Sequence, residues 1–166
     1  MVSTYVNWGE SKVKLTWKES DELPPVNLIT SVHGFCFLDN KLLLVKLKHR
    51  GWDMTGGHIE PDESPEECFK RETLEEAYVA GDCSLLGHMI VDHSENPQWN
   101  EKSPYPKIGF QVFYSMDITE VHDFEAGFES TERIFIDHNR VQDYYHDWHE
   151  LYAHILGCAR KNTRLR

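Results

Sequence analysis

The chain has 166 residues, 40% of them hydrophobic and 12% aromatic, which is enough for one apolar core and too few for two ordinary domains. Seventeen Lys and Arg against 28 Asp and Glu give a net charge of −11, which argues against a general nucleic-acid-binding surface. No apolar run approaches the ~20 residues that cross a bilayer, residues 1–12 lack a signal-peptide layout, and Cys36, Cys68, Cys83 and Cys158 show neither zinc-knuckle nor disulfide spacing. The expectation is one cytoplasmic domain over residues 1–166, with no membrane contact.

In chain order, Lys12 to Trp17 alternates, with Val13, Leu15 and Trp17 on one face of a half-buried strand. Leu28–Leu38 and Lys41–Leu47 are apolar runs flanking Asp39-Asn40, a hairpin turn signal. The glycines Gly56 and Gly57 and the run Glu60-Pro61-Asp62 then mark a tight loop. Ser84–Val91 and Ile108–Ile118 read as further strands, separated by a long loop over Asp92–Lys107 that carries Pro97, Pro104 and Pro106. Loops of that length are uncommon in compact domains and are often functional. Arg133–Asp137 reads as a short last strand. From Val141 to Leu156, Tyr144, Trp148, Leu151 and Ile155 recur at helical spacing, so a helix is expected there, packed on the sheet and ended by Gly157. Residues 161–166 are expected to fray.

The most informative element lies between the glycine loop and Val79. Ser64 is a good N-cap, Pro65 suits the first helical position, and Glu67 completes an S-x-x-E capping box. On the helix so started, Glu72, Glu75 and Glu76 stand at i, i+3 and i+4 and share one side. Carboxylates that close raise one another's pKa unless a cation lies among them. A hard divalent metal, which prefers oxygen ligands, is the economical choice. Bound divalent ions would also invert the field of residues 60–76, where eight acidic side chains face only Lys70 and Arg71.

The spacing G-x5-E-x7-R-E-x-x-E-E, filled by Gly57, Glu63, Arg71, Glu72, Glu75 and Glu76, resembles the signature of the Nudix hydrolases, here over residues 57–79. The resemblance implies an α/β fold, a single-domain α/β/α sandwich around a mixed sheet. It implies a metal-dependent hydrolase that cleaves a pyrophosphate bond in a nucleoside di- or triphosphate-type substrate and releases a nucleoside monophosphate. Glu72 and Glu76 would bind Mg²⁺ or Mn²⁺ with a backbone carbonyl of the Gly56-Gly57 pair, and Glu75 would bind directly or through water. Arg71 would hold a glutamate, Glu63 would support the loop, and the general base would be Glu72, Glu75 or Glu129. The stretch His49-Arg-Gly-Trp-Asp-Met-Thr-Gly-Gly looks like the MutT-type triphosphate pyrophosphohydrolases. ADP-ribose or nucleotide-sugar pyrophosphatases, and a non-catalytic nucleotide-sensing module, are the alternatives.

Two departures from the family pattern stand out. Tyr78 occupies the position where the family has the glycine that ends the helix, so the helix is expected either to strain there or to run on to Gly81. Thr73 and Thr55 replace a hydrophobic residue and a proline. Around the signature, Lys46, Lys48, Arg50 and His58 could meet substrate phosphates, and Trp99 and Tyr105 could stack on a base. Trp52 reads as core, His146 and His149 as packing or surface histidines, and Glu132 as an alternative to Glu129 or a solvated charge. The expected partner is a small nucleotide; the oligomeric state, a homodimer included, is open.

Overall fold

Strands form where the sequence alternates or runs apolar, and their pairing sets the architecture. In the computed structural model, which describes residues 1–162, the strands are β1 (Val2–Trp8), β2 (Ser11–Glu19), β3 (Ile29–Leu38), β4 (Lys41–Leu47), β5 (Gly51–Asp53), β6 (Thr55–Gly57), β7 (Val79–Asp92), β8 (Ile108–Val121) and β9 (Ser130–Ile136). The helices are α1 (Pro65–Ala77) and α2 (Glu150–Asn162). All nine strands join one sheet in the order β1-β2-β7-β8-β3-β4-β5, with β6 paired to β3 and β9 to β4. The pair β3/β8 is parallel and the other pairs are antiparallel, so the sheet is mixed.

Asp39 and Asn40 both take positive φ (47° and 69°) between the paired residues Leu38 and Lys41, which is the backbone of a tight two-residue hairpin. On one sheet face, Trp17, Phe35, Leu44, Met89 and Phe113 pack with Leu151 and Ile155 of α2. On the other, Val32, Leu43, Val112 and Tyr114 pack with Cys68, Phe69 and Ala77 of α1. The two helices therefore cover opposite faces. Phe69 is fully buried and stacks on Tyr114 at 5.6 Å between ring centroids; burying such a ring stabilises the fold by roughly 1.5–3 kcal/mol. That contact needs Gly34, where a β-carbon would lie 2.6 Å from the Phe69 ring and 2.3 Å from the Tyr114 carbonyl oxygen.

Two expectations change. Residues 138–143 form a 3₁₀ turn whose start is capped by Asp137, and the last helix begins only at Glu150, not near Val141. The aromatic stripe still packs on the core, with Tyr144 and Trp148 in the turns before α2 and Leu151 and Ile155 within it. Gly157 does not end α2: its face is open, a β-carbon there meets nothing within 4 Å, and the helix continues through Lys161 to Asn162. The rest of the expected frayed tail, 163–166, lies outside the described residues. Of the two outcomes expected for the end of α1, strain at Tyr78 or a run on to Gly81, the first holds. The helix stops at Ala77, with Tyr78 in the left-handed region at φ 58°, ψ 39°.

The strand β1 and the short strands β5 and β6 had no separate sequence signal. Trp52 is partly buried against the core beside Tyr144, and His149 stacks on Tyr152 at 4.0 Å. No helix among the described residues is long and apolar enough to cross a membrane.

Candidate active site

The site is built where β3 is shared by two partners. Residues Val32, His33 and Gly34 pair with Gly57, Gly56 and Thr55 of β6, whereas Phe37 and Leu38 pair with β4. This brings the glycine loop against the middle of the sheet. The helix α1 follows at once, started by a complete capping box: Glu67 N–H donates to Ser64 Oγ (3.1 Å) and Ser64 N–H donates to Glu67 Oε1 (2.9 Å).

The helix faces the loop so closely that a β-carbon on Gly57 would lie 2.5 Å from the Glu72 carboxyl carbon. The bare glycine is what leaves room for that carboxylate. Thr73 and Thr55 sit fully inside this contact, their hydroxyls 2.9 Å apart, which explains how two polar residues are tolerated there.

Arg71 ties the loop to the helix. Its guanidinium donates to both Glu63 oxygens (2.6 and 3.0 Å) and to the His58 carbonyl (3.1 Å). It also reaches Glu72 (2.9 Å), Glu75 (3.4 Å) and Glu60 (3.7 Å). The paired charge holds Glu63 down to about 2, and Glu63 in turn accepts from Glu60 N–H at 3.0 Å, closing the loop on itself.

Glu76 is the opposite case. It is 6% exposed, accepts one bond from Gly56 N–H (3.0 Å), and is pushed up to about 8 by burial, with Glu72, Asp53 and Glu129 adding repulsion. Glu72 is raised too, chiefly by burial, against the pull of Arg71.

These groups line a cleft of about 640 Å³. Its walls carry Asp53, Glu60, Glu72, Glu75, Glu76 and Glu129 against only Arg50 and Arg71. Glu129 lines it from the segment before β9. Glu132 does not line it and pairs with Lys46 at 3.5 Å instead. Arg50 stands at the edge, largely exposed and 3.8 Å from Asp53. No group of three or more His, Cys, Asp or Glu among the described residues stands in a metal-holding arrangement; Glu72 and Glu75 both pair with Arg71.

The chemistry of the donors nevertheless fits a hard cation: a buried carboxylate with a single amide partner, a second beside it, and a glycine carbonyl at the rim. His58, whose Nδ1 bonds the Thr30 carbonyl at 2.8 Å, lines both this cleft and a second pocket of about 370 Å³ that contains Trp99 and Tyr105. Ser31, His33 and Gln111 also line the cleft and were missed from sequence. Their signal was a pair of polar residues two apart, Ser31 and His33, within the apolar run of β3; Gln111 pairs with Ser31 only through the parallel register.

The NUDIX domain family profile matches residues 28–158. Among curated proteins nothing matches. Of solved structures, the pyrophosphohydrolase BsRppH of Bacillus subtilis, in a mutant form, is similar over 100% of both chains, with a TM-score of 0.74 at 20% identity. The NUDIX domain of Shewanella oneidensis NrtR complexed with ADP ribose covers 81% of this chain and 88% of its own, with a TM-score of 0.58 at 17% identity. An ADP-ribose pyrophosphatase from Streptococcus suis covers 82% and 92%, with a TM-score of 0.53 at 19% identity. With four-fifths of its length matched by the family profile and the sheet, loop and capped helix in place, the chain belongs to the Nudix hydrolase family.

Proposed function

We propose that the chain is a metal-dependent pyrophosphohydrolase that cleaves a nucleoside triphosphate to a nucleoside monophosphate and pyrophosphate. The observation that carries this is the cleft's charge: six carboxylates against two arginines, one of them, Arg71, already committed to Glu63. Such a cleft repels a polyphosphate unless divalent cations stand between. Glu72, Glu75, Glu76 and the Gly57 carbonyl are the groups that would hold Mg²⁺ or Mn²⁺. Bound there, the ion would polarise phosphoryl oxygens and acidify the attacking water.

The remaining work falls to the chain's own groups. Arg71 and Glu63 fix the loop so that Gly56 and Gly57 stay against α1. Glu129 makes no ion pair among the described residues and faces the cleft, so it is free to take a proton from water; Glu72 and Glu75 are held by Arg71. Arg50 and His58 flank the cleft and would meet phosphate oxygens. The MutT-type product pattern is favoured by the similarity of the stretch before the glycine pair.

One observation favours a second reading. A smaller compartment of about 230 Å³, lined by Arg50, Tyr145, His146 and Asp147, shares His33, Asp53 and Met54 with the cleft. Its polar groups would suit the hydroxyls of a sugar, as in ADP-ribose or a nucleotide sugar.

A substrate panel with Mg²⁺ and Mn²⁺, its products resolved by chromatography, separates the two. It should hold nucleoside triphosphates, ADP-ribose, NADH, dinucleoside polyphosphates and nucleotide sugars. Monophosphate plus pyrophosphate from triphosphates supports the first reading. Turnover of ADP-ribose or a nucleotide sugar alone supports the second. Binding without turnover would overturn both and leave a nucleotide sensor.

A further inference from the structure

We infer that the pocket enclosed by residues 93–107 and the tip of the β1/β2 hairpin is the nucleobase site, taking an uncharged heteroaromatic ring stacked on Trp99. This deepens the hydrolase reading and rests on it for the position of the phosphates.

The argument starts from charge. The cleft is crowded with carboxylates, yet the adjoining pocket is lined by no Asp, Glu, Lys or Arg among the described residues. Its walls are the rings of Trp8, His93, Trp99 and Tyr105, with the amides of Asn96, Gln98 and Gln111 between them. Such a lining offers apolar faces and neutral donors and acceptors, which suits a base and neither a phosphate nor a carboxylate. Ser31, His58 and Gln111 line both compartments, so a ligand can lie across the two.

The aromatic wall is held in place before any ligand arrives. His93 N–H donates to the Lys107 carbonyl (2.8 Å) and closes the loop at its base. Inside it, Asn96 Oδ1 accepts from Gln98 N–H (3.0 Å) and Asn100 Oδ1 from Lys102 N–H (2.8 Å), two short side-chain turns that stiffen the backbone. The Trp99 indole N–H is spent on the Tyr105 carbonyl (3.0 Å), and Lys107 lies over its ring at 5.8 Å. What Trp99 offers a ligand is therefore a ring face at a fixed angle. Asn96 is committed within the loop, but the Gln111 amide makes no hydrogen bond among the described residues. It stands at the junction with the cleft, where one donor and one acceptor could read a base edge.

The test uses binding alone, with Mg²⁺ present to offset the carboxylates of the cleft; the ligands are monophosphates with no pyrophosphate bond to cut, so it does not depend on turnover. Calorimetric titrations would compare the monophosphates of the four common nucleosides with ribose 5-phosphate, which lacks the base. The full chain should prefer at least one nucleoside monophosphate by roughly 5- to 100-fold, the range expected of one base–aromatic stack. Trp99→Phe should keep most of that preference and Trp99→Ala should abolish it. Gln111→Ala, which leaves the loop untouched, should change the ranking among bases.

Equal affinity for ribose 5-phosphate and every nucleoside monophosphate would overturn the assignment. So would a preference that survives Trp99→Ala, or no binding of either ligand. A base preference without turnover of any substrate would instead sink the hydrolase reading and leave this site standing.

Discussion

Glu76 gives the sharpest quantitative test of the site. Its carboxyl is buried, receives one N–H and no cation, and titrates at about 8 against an ordinary 4.5. The folded pKa is raised, so its favourable contribution is complete below the unfolded value of 4.5 and is lost as pH rises through about 8. Each tenfold change in proton activity is worth about 1.4 kcal/mol, so full ionisation costs the metal-free fold on the order of 4–5 kcal/mol. Glu76→Gln keeps the acceptor for Gly56 N–H and removes the charge. Thermal melts in chelator from pH 5 to 8.5 should therefore show the variant gaining on the parent as pH rises. For a chain of this size ~1 kcal/mol moves Tm by ~2–4 °C, so the gap at pH 8.5 should approach 10 °C or more. His33, buried and lowered to about 4, acts in the opposite sense, weakening the fold as pH falls from 6.5 toward 4. Both proteins carry it, so it cancels in the difference. Millimolar Mg²⁺ should restore the parent at pH 8.5 and leave the variant unmoved, while turnover of the variant falls by orders of magnitude. A variant whose pH profile in chelator superimposes on the parent's would refute the reasoning.

Three further outcomes are expected. Glu63→Gln should lose about 1.5–3 kcal/mol at pH 7, as for a hydrogen bond to a charged group; because the folded pKa of Glu63 is depressed to about 2, the parent alone should shed that stability as pH falls from 4.5 toward 2, read by urea titration at several pH values. Glu129→Gln should lower kcat by roughly 10²–10⁴ with KM little changed; an unaltered kcat would assign proton transfer to Glu72 or Glu75. Tyr78→Phe should keep α1 intact yet lower kcat, since it deletes the hydroxyl that accepts from Gly127 N–H at 2.8 Å, and an unchanged kcat would show that this tie does not position Glu129.

What the sequence made legible was local. The capping box at Ser64, the turn at Asp39-Asn40 and the carboxylate spacing on α1 are decided within a few residues, and each stands where the pattern puts it. The long loop between β7 and β8 was bounded correctly because prolines and polar residues interrupt two strongly apolar runs. The misses depend on contacts made elsewhere. The strand β1 is an edge strand with Tyr5 and Trp8 about half exposed, so its alternation is weak and its partner β2 defines it. The strands β5 and β6 are three residues each and exist only as rungs on β4 and β3. The late start of α2 follows from Asp137, which accepts from Asn139 N–H at 2.9 Å and starts a 3₁₀ turn where the apolar period alone suggests a helix.

Tyr78 shows why a departure from a family pattern has to be followed through the structure. A left-handed tyrosine costs roughly 1–2 kcal/mol relative to glycine, and nothing in its own neighbourhood of sequence repays that. The compensation comes from residues some 45 to 55 positions away. Gly127 donates to its hydroxyl, Phe124 meets its ring edge-on at 5.2 Å, His122 N–H donates to its carbonyl at 2.8 Å, and Arg133 donates to the Ala77 carbonyl at 2.8 Å. A hydrogen bond of about 1 kcal/mol and an aromatic contact of ~0.5–1.5 kcal/mol are together enough to offset the strain. The residue that a glycine would replace is thus a strut from the end of α1 to the segment that carries Glu129 into the cleft. Ser130, the next residue, donates its hydroxyl to the Glu76 carbonyl and makes the same connection from the other side. The carboxylates on α1 and the one facing them are held to each other through this joint, so the position that breaks the signature is also the one that ties its two halves together.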